Sequence, residues 1–385
     1  MLRNIAIIGA GVSGLTAGYA LKKIGLEVEI FERSQSIDAF GAGITLSKNA
    51  TLLLQDLDLM EVLSSKGHYP LGSFIRDYKK AKVIKFKTLD KNFITLDRRD
   101  LVLVLSNRFE ELGGSIILDS EIESIDPASG EIIISTHKKK TYDLILICDG
   151  IKSSLRENYF DEQKPQFTKY VAWRGMTSIE NLPKFEGNDK VNVYYGPGGH
   201  CVHYPTGRGD LINFIAIEHN EIWSEESWKI KGNKSEFLNC FAGWNEELLS
   251  MFDSSQEIYK WGIFERPLPK KLYRDKCLLL GDAAHPMAPF LGQGGCLAIE
   301  DAYCLASLIK DKEDLNNIVR NYDRLRNSRS RWIQKRSKLQ GIFNHVSNPI
   351  LAKIRNLVTK IIMNNSVNKL HSYNLIKELS ELKKI

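Results

Sequence analysis

An apolar strand that runs straight into a glycine turn is the feature that most constrains this chain. Residues Asn4-Ile5-Ala6-Ile7-Ile8 form a short continuous apolar run, and Gly9-Ala10-Gly11-Val12-Ser13-Gly14 follows at once. An unbroken apolar run of this length reads as a parallel strand buried on both faces. The next residues, LTAGYALKKIG, carry apolar side chains at helical spacing and close on Gly25, and LEVEIFER supplies a second strand. The unit is therefore strand–turn–helix–strand, and its glycines have separate tasks. Gly9 makes the tight turn, Gly11 clears the way for a pyrophosphate, and Gly14 lets the helix pack on the strand. The helix N-terminus adds free amides and a positive dipole for the phosphates. Glu32 closes the second strand at the distance where a carboxylate accepts both hydroxyls of an adenosine ribose.

Further along, GSIIL (114–118), DLILIC (143–148) and KCLLLG (276–281) repeat the strand signal, the last two ending in Asp149-Gly150 and Gly281-Asp282. Between about 166 and 265 the texture changes to aromatic, alternating runs punctuated by turn residues (YVAWRGM, NVYYGPGGHCVHYP, DLINFIAIEH). That pattern predicts an antiparallel sheet. From Gly294 the chain reads as helical to its end. The basic, amphipathic stretch LAKIRNLVTKII (351–362) is expected to fold back on the core with its charges solvated, in preference to lying on an anionic membrane.

Composition narrows the function class. The 385 residues are 43% hydrophobic and 26% charged, which is ordinary for a globular enzyme. The excess of 53 Lys+Arg over 47 Asp+Glu is too diffuse to indicate nucleic acid, and suits anionic cofactors or substrates. Cys148, Cys201, Cys240, Cys277, Cys296 and Cys304 form no C-x-x-C pair, so neither a metal site nor a disulfide framework is expected. No secretory leader and no membrane-spanning apolar run is visible, so a cytoplasmic protein without an integral membrane segment is expected.

The second and third clusters, Cys148-Asp149-Gly150-Ile151-Lys152-Ser153-Ser154-Leu155-Arg156 and Leu278-Leu279-Leu280-Gly281-Asp282-Ala283-Ala284-His285-Pro286, separate the possible dinucleotides. Together with Gly9 to Gly14 they resemble the three fingerprints of the flavoprotein aromatic hydroxylases, the family of p-hydroxybenzoate and salicylate hydroxylases. The likeness extends over roughly residues 1 to 345. It includes Glu32-Arg33, Gly41-Ala42-Gly43-Ile44, Arg98, Pro289, GQGGCLAIEDA and RNYDRLRNSR. Asp97 departs from the pattern, since relatives often carry histidine there.

The resemblance implies an α/β fold: an FAD-binding three-layer Rossmann-like domain, an inserted mainly antiparallel β-sheet substrate domain, and a helical C-terminus. The FAD-binding domain would take residues 1–75, 96–165 and 266–345, the substrate domain 76–95 and 166–265, and a helical tail 346–385. It implies FAD as cofactor, NADH or NADPH as cosubstrate, and O2 with a small aromatic or heteroaromatic molecule as the other substrates. Hydroxylation would pass through a flavin C4a-hydroperoxide, in a monomer or homodimer that binds no nucleic acid. Asp282 would hold the ribityl chain, and Asp149 would lie near the pyrophosphate with a role in nicotinamide binding. Arg98, Arg33, Gly43, Gly150, Arg156, Gly281 and Gly292 would complete the FAD contacts. His285 to Gly295 would lie against the isoalloxazine, with Gly294-Gly295 opening a helix toward it. Pro289 and Gln293 are the residues of that loop expected at the reaction. His200 is nominated to bind or deprotonate a phenol, with a structural histidine as the competing reading and His203 as a weaker candidate. Trp173 and Arg174 either line the cavity or belong to sheet packing. Three other readings stay open: a different oxidation on the same fold, such as epoxidation of an isoprenoid or attack on a polycyclic compound; a flavin reductase that never activates oxygen; and a non-catalytic flavin-binding or membrane-associated protein.

Overall fold

The computed structural model describes residues 2–37, 42–182, 187–223, 230–311 and 314–382, with the backbone alone at 362–368. Gly41 lies outside the described residues.

The apolar runs become strands because only a doubly covered sheet hides side chains on both faces. Asn4–Ile8, Glu27–Phe31, Ser115–Ile117, Leu144–Ile147 and Cys277–Leu279 join a six-stranded sheet. The first strand sits between Glu27–Phe31 and Leu144–Ile147, and Cys277–Leu279 follows Leu144–Ile147, all parallel. Tyr273–Arg274 closes the edge antiparallel. Ile5, Ile7 and all of Leu144–Ile147 are wholly buried. The helices Val12–Lys23, Arg98–Glu111 and Gly294–Lys310 form one covering layer. A three-stranded meander, Ile122–Asp126, Glu131–Ile134 and Lys139–Thr141, adds its isoleucines to the same core. This is the three-layer α/β architecture expected.

The second sheet has seven strands in the order Ile258–Glu265, Gln166–Ser178, Leu211–His219, Gly199–Thr206, Val191–Gly196, Gly72–Asp77, Val83–Thr88. All its pairings are antiparallel except Val191–Gly196 beside Gly72–Asp77. Strand alternation divides its side chains. One face turns Trp173, Tyr194, Cys201 and Phe214 toward the helices Lys234–Cys240 and Glu246–Ser254, where they pack with Phe237, Phe241 and Phe252. The other face puts Ala172, Ile217, Trp261 and Ile263 against Ala288, in the loop that leaves the first sheet.

After Gly294–Lys310 come the 30-residue helix Leu315–Asn344 and the helices Pro349–His371 and Leu375–Leu382. Among the described residues no helix is long and apolar enough to cross a membrane.

Candidate active site

The glycine-bearing turns lie at the carboxyl ends of three neighbouring parallel strands, so the fold gathers them at one edge of the sheet, where open α/β sheets bind ligands. Gly9 has φ +104°, and a Cβ there would stand 2.6 Å from the Cys148 carbonyl oxygen. At Gly14 a Cβ would come within 2.0 Å of the Gly9 carbonyl oxygen, which fixes how closely helix and strand approach. Gly11, Gly150 and Gly294 are different: a Cβ on any of them meets nothing within 4 Å. They line open space at the mouths of three separate segments.

The helix N-termini at this edge lack the usual side-chain partners. Val12–Lys23 starts at Gly11 with neither a capping side chain nor an acidic residue in its first turn. Gly294–Lys310 starts in the same way after Gln293. Their first amides are therefore available to an anion. Two side-chain oxygens beside the first turn, Ser13 Oγ and Asp149 Oδ1, are buried and have no hydrogen-bond partner. Burial pushes the Asp149 carboxyl up to about 6, against the pull of Ser153, Arg33 and Arg266. A buried orphan oxygen of this kind is what a ligand donor satisfies.

Glu32 hangs over the same turn. Its Oε2 accepts from the Ala10 amide at 2.8 Å and its Oε1 from the Ser34 amide at 2.9 Å. The carboxylate is thus oriented by backbone and keeps lone pairs for incoming hydroxyls. Across the cleft, Arg98 opens its helix with its amide on the Ala42 carbonyl at 2.7 Å. Burial lowers the Arg98 pKa, and attraction to Asp282 and then Asp97 works against that. Asp282 is exposed to the cleft, yet desolvation by the surrounding protein raises its carboxyl while His285 and Arg98 pull it down. Asp97 does what its place before a helix demands and caps it, accepting from the Arg99 amide at 2.9 Å.

Beneath the cleft lies a buried charge network that joins the flanking loops. Asp301 accepts from the Gly281 amide at 2.9 Å, contacts His285 Nε2 at 2.5 Å, and pairs with Arg326 Nε at 2.7 Å. Glu300 pairs with Arg326 at 2.8 Å and Arg329 at 3.1 Å, and takes a hydrogen bond from Asn49 at 2.6 Å. Burial alone would raise both acids. His285 and Arg326 nevertheless hold Asp301 at about 2, and the two arginines hold Glu300 below its ordinary value. Gln293, buried, donates to Ser47 Oγ at 3.0 Å and accepts from Asn49 at 3.1 Å, so its side chain faces this network instead of the cleft. Arg156 is likewise turned inward. Its guanidinium donates to the carbonyls of Ala283 and Ala284 at 3.1 and 2.9 Å and pairs with Asp161, so it braces the turn holding Asp282 from below. Gly281, with φ +58°, packs against Ser13, and Gly43, on a short strand Gly43–Leu46 paired with Ile94–Asp97, donates its amide to Asn213 Oδ1 of the seven-stranded sheet at 2.8 Å. Arg33 is exposed, and its charge reaches Asp149. Pro289 opens the short turn Pro289–Leu291, which Gly292 closes at φ +61°. Pro289 and Gly292 are exposed, and Gly295 abuts Ile44.

The substrate-side residues sort by strand face. His200 and Tyr204 look toward the first sheet, and His203 looks away, stacked on Tyr194. His200 is buried, edge-on to Phe290 of the loop, and its Nδ1 lies 2.7 Å from Nε2 of His345. Tyr170 packs on the His345 ring at 4.2 Å between centroids. Burial keeps both histidines neutral: with repulsion from His345 it holds His200 well below its ordinary value, and with repulsion from His219 and Arg355 it lowers His345 to about 3. Arg174 projects to the same side, 5.4 Å from the Trp261 ring, and burial with repulsion from Arg98 lowers its pKa to about 10. Trp173 faces the other way and donates Nε1–H to Glu218 at 2.8 Å.

His345 and Tyr170 are not singled out by the sequence, whereas Phe290 lies in the His285 to Gly295 segment expected against the flavin. Tyr170 sits on a strand that was legible, but His345 lies about 145 residues from His200 at the end of a helix, and no local pattern links them. The Arg326–Asp301 pair left a faint trace, as acids and arginines repeat on the two helices that form it.

Comparison with known proteins adds the following. The FAD binding domain family matches residues 3–314. The 3-amino-4-hydroxybenzoate 2-monooxygenase PtmB3 of Streptomyces platensis is 28% identical over 350 residues, covering 88% of this chain and 87% of that protein. The 6-hydroxynicotinate 3-monooxygenase of Pseudomonas fluorescens is 26% identical over 330 residues, covering 80% and 83%. A solved salicylate hydroxylase substrate complex superposes with a TM-score of 0.84 at 23% identity, covering 98% of this chain and 97% of that one.

Proposed function

This chain belongs to the FAD binding domain family, and from that premise we propose that it hydroxylates a small aromatic or heteroaromatic ring as an FAD-dependent, NAD(P)H-consuming monooxygenase. One observation carries the reading. Three glycine-bearing turns end neighbouring parallel strands at one sheet edge, and the turn Pro289–Leu291 that follows the third sets Phe290 against both His200 and His345.

In this reading the uncapped amides at Gly11 take the pyrophosphate and Glu32 takes the ribose hydroxyls. Asp149 Oδ1 finds its missing donor at the same place, and Asp282, opposed by Arg98, holds the ribityl hydroxyls. Bound FAD supplies the acceptor for hydride from NAD(P)H and the centre at which O2 is activated. The chain's own residues orient the ring and manage its proton. Tyr170, Phe290 and Trp261 give the cavity apolar walls that exclude water. His200, neutral at pH 7, accepts the proton of a ring hydroxyl, which makes the ring more electron-rich. Its Nδ1 is within hydrogen-bond distance of His345 Nε2, so His345 fixes the tautomer and ring orientation with which His200 meets the hydroxyl. His345 is therefore a positioning residue. Arg174, on the same face, pairs with an anionic substituent such as a ring carboxylate.

NAD(P)H oxidation by FAD-loaded protein tests this, screened against hydroxybenzoates, aminohydroxybenzoates, hydroxypyridine carboxylates and isoprenoids with peroxide measured alongside. A compound that accelerates oxidation and emerges one oxygen heavier establishes the activity. Flavin that is reduced but transfers oxygen to no aromatic compound overturns it.

A further inference from the structure

In its first half, over residues 350–361, the helix Pro349–His371 packs on the molecule with polar side chains inward. Arg355 is buried, with Nη1 on the Asn344 carbonyl at 3.1 Å and its guanidinium 4.7 Å above the Tyr195 ring. Thr359, also buried, bonds back to the Arg355 carbonyl, and Lys85 of the edge strand Val83–Thr88 reaches the Lys360 carbonyl at 2.9 Å. The opposite side carries Ile350, Leu351, Ile354, Leu357 and Ile361, each between 51% and 70% exposed. Positions 350, 354, 357 and 361 repeat at four and three residues, which lines them up along one side of a helix. Lys353 and Lys360 flank the row and are exposed. A helix that folds back ordinarily buries its isoleucines and exposes its arginine; residues 350–361 do the reverse.

We propose that this face seats the protein on the anionic surface of a lipid bilayer. The inference goes beyond the catalytic reading and does not depend on it. Charge selects the occupant. The segment PILAKIRNLVTKIIMNNSVNKLH contains no Asp or Glu, and its exposed lysines stand where headgroup phosphates meet an interfacial helix. A second copy of the chain suits the face poorly. Five side chains at about 100 Å² each present on the order of 500 Å², short of the about 800 Å² per partner of a standard interface. A two-fold pairing would also set Lys353 and Lys360 against the same lysines, with no acid on the helix to offset them. The helix lies parallel to the surface in this arrangement, so it needs no spanning length.

The experiment uses the full-length FAD-loaded protein and vesicles of phosphatidylcholine, with or without about one third phosphatidylglycerol. Co-sedimentation is measured for the parent, for Ile354→Ser/Leu357→Ser and for Lys353→Glu/Lys360→Glu. All four positions are exposed and outside the cofactor cleft, so flavin content serves as the control for folding. The parent is expected to bind the phosphatidylglycerol vesicles and to be released by salt. Each double variant is expected to bind at least tenfold more weakly with unchanged flavin content. The proposal is overturned if the parent binds neither vesicle, or if both variants bind as the parent does. A concentration-dependent dimer in sedimentation velocity that Ile354→Ser/Leu357→Ser abolishes, without vesicle binding by the parent, assigns the face to a second copy instead.

Discussion

Replacing Arg326 with methionine removes the cation shared by Glu300 and Asp301, three side chains with no exposure at all. Taking one partner from a buried ion cluster costs about 3–5 kcal/mol, because the remaining charges stay desolvated. The structure places the loss at the lower end. Glu300 keeps Arg329 and Asn49, and Asp301 keeps His285 and the Gly281 amide. A chain this long has an unfolding entropy of roughly 0.8 kcal/mol/K near its midpoint, so a loss of about 3 kcal/mol lowers Tm by about 4 °C. The same change frees the Gly281–Asp282 turn from one of its anchors, so FAD should bind about tenfold more weakly. Scanning calorimetry of the flavin-free protein and flavin fluorescence titration measure the two effects. Adding Asp301→Asn removes the uncompensated charge and should recover part of the Tm but none of the FAD affinity. An Arg326→Met protein within 1 °C of the parent, with unchanged flavin binding, would refute the reasoning.

Asp282→Ala should yield folded protein with little bound flavin, and full flavin occupancy after gel filtration would sink the assignment of that carboxylate. Asp149 gives a pH signature. Its folded pKa of about 6 lies above its unfolded value, so folding creates a proton site there. The stability it contributes is present below about pH 4 and is lost as pH rises through 6, by roughly 1–3 kcal/mol. The Asp149→Asn protein should lack that decline in urea titrations between pH 4 and 6; a parallel profile counts against it. His200→Ala and His345→Ala should each lower turnover of the true substrate by about 10²-fold or more with flavin loading intact, and the double variant by little more than either. Fully multiplicative losses would mean that the two histidines do not work as a pair.

Much of the fold was legible because it rests on local physics. Four apolar residues (5–8) followed by Gly9 and Gly14 can form little but a buried strand and a closely packed helix, and Cβ contacts of 2.6 and 2.0 Å at those glycines explain why no larger residue serves. The strands Leu144–Ile147 and Cys277–Leu279 announced themselves in the same way, and their order along the chain gave no hint that they are neighbours in the sheet. The segments that border the cleft could be read from their turns; the side-chain orientations could not. Gln293 and Arg156 sit in those segments, yet their side chains turn away from the cleft because Ser47, Asn49 and the carbonyls of Ala283 and Ala284 offer hydrogen bonds in the interior.

The amino-acid sequence by itself determined the two sheets, the strand–turn–helix cradle and the chemical class, since each depends on residue type within a few positions of its neighbours. Tertiary structure alone decided what meets across the cleft. The 2.7 Å contact of His200 with His345, the burial of Arg326 between two acids, and the outward turn of Ile354 and Leu357 all join or separate segments far apart in the chain. Side-chain periodicity says that a helix has an apolar side. Which side is covered depends on the surface it lands on, and here the Asn344 carbonyl and the Tyr195 ring gave Arg355 a place inside.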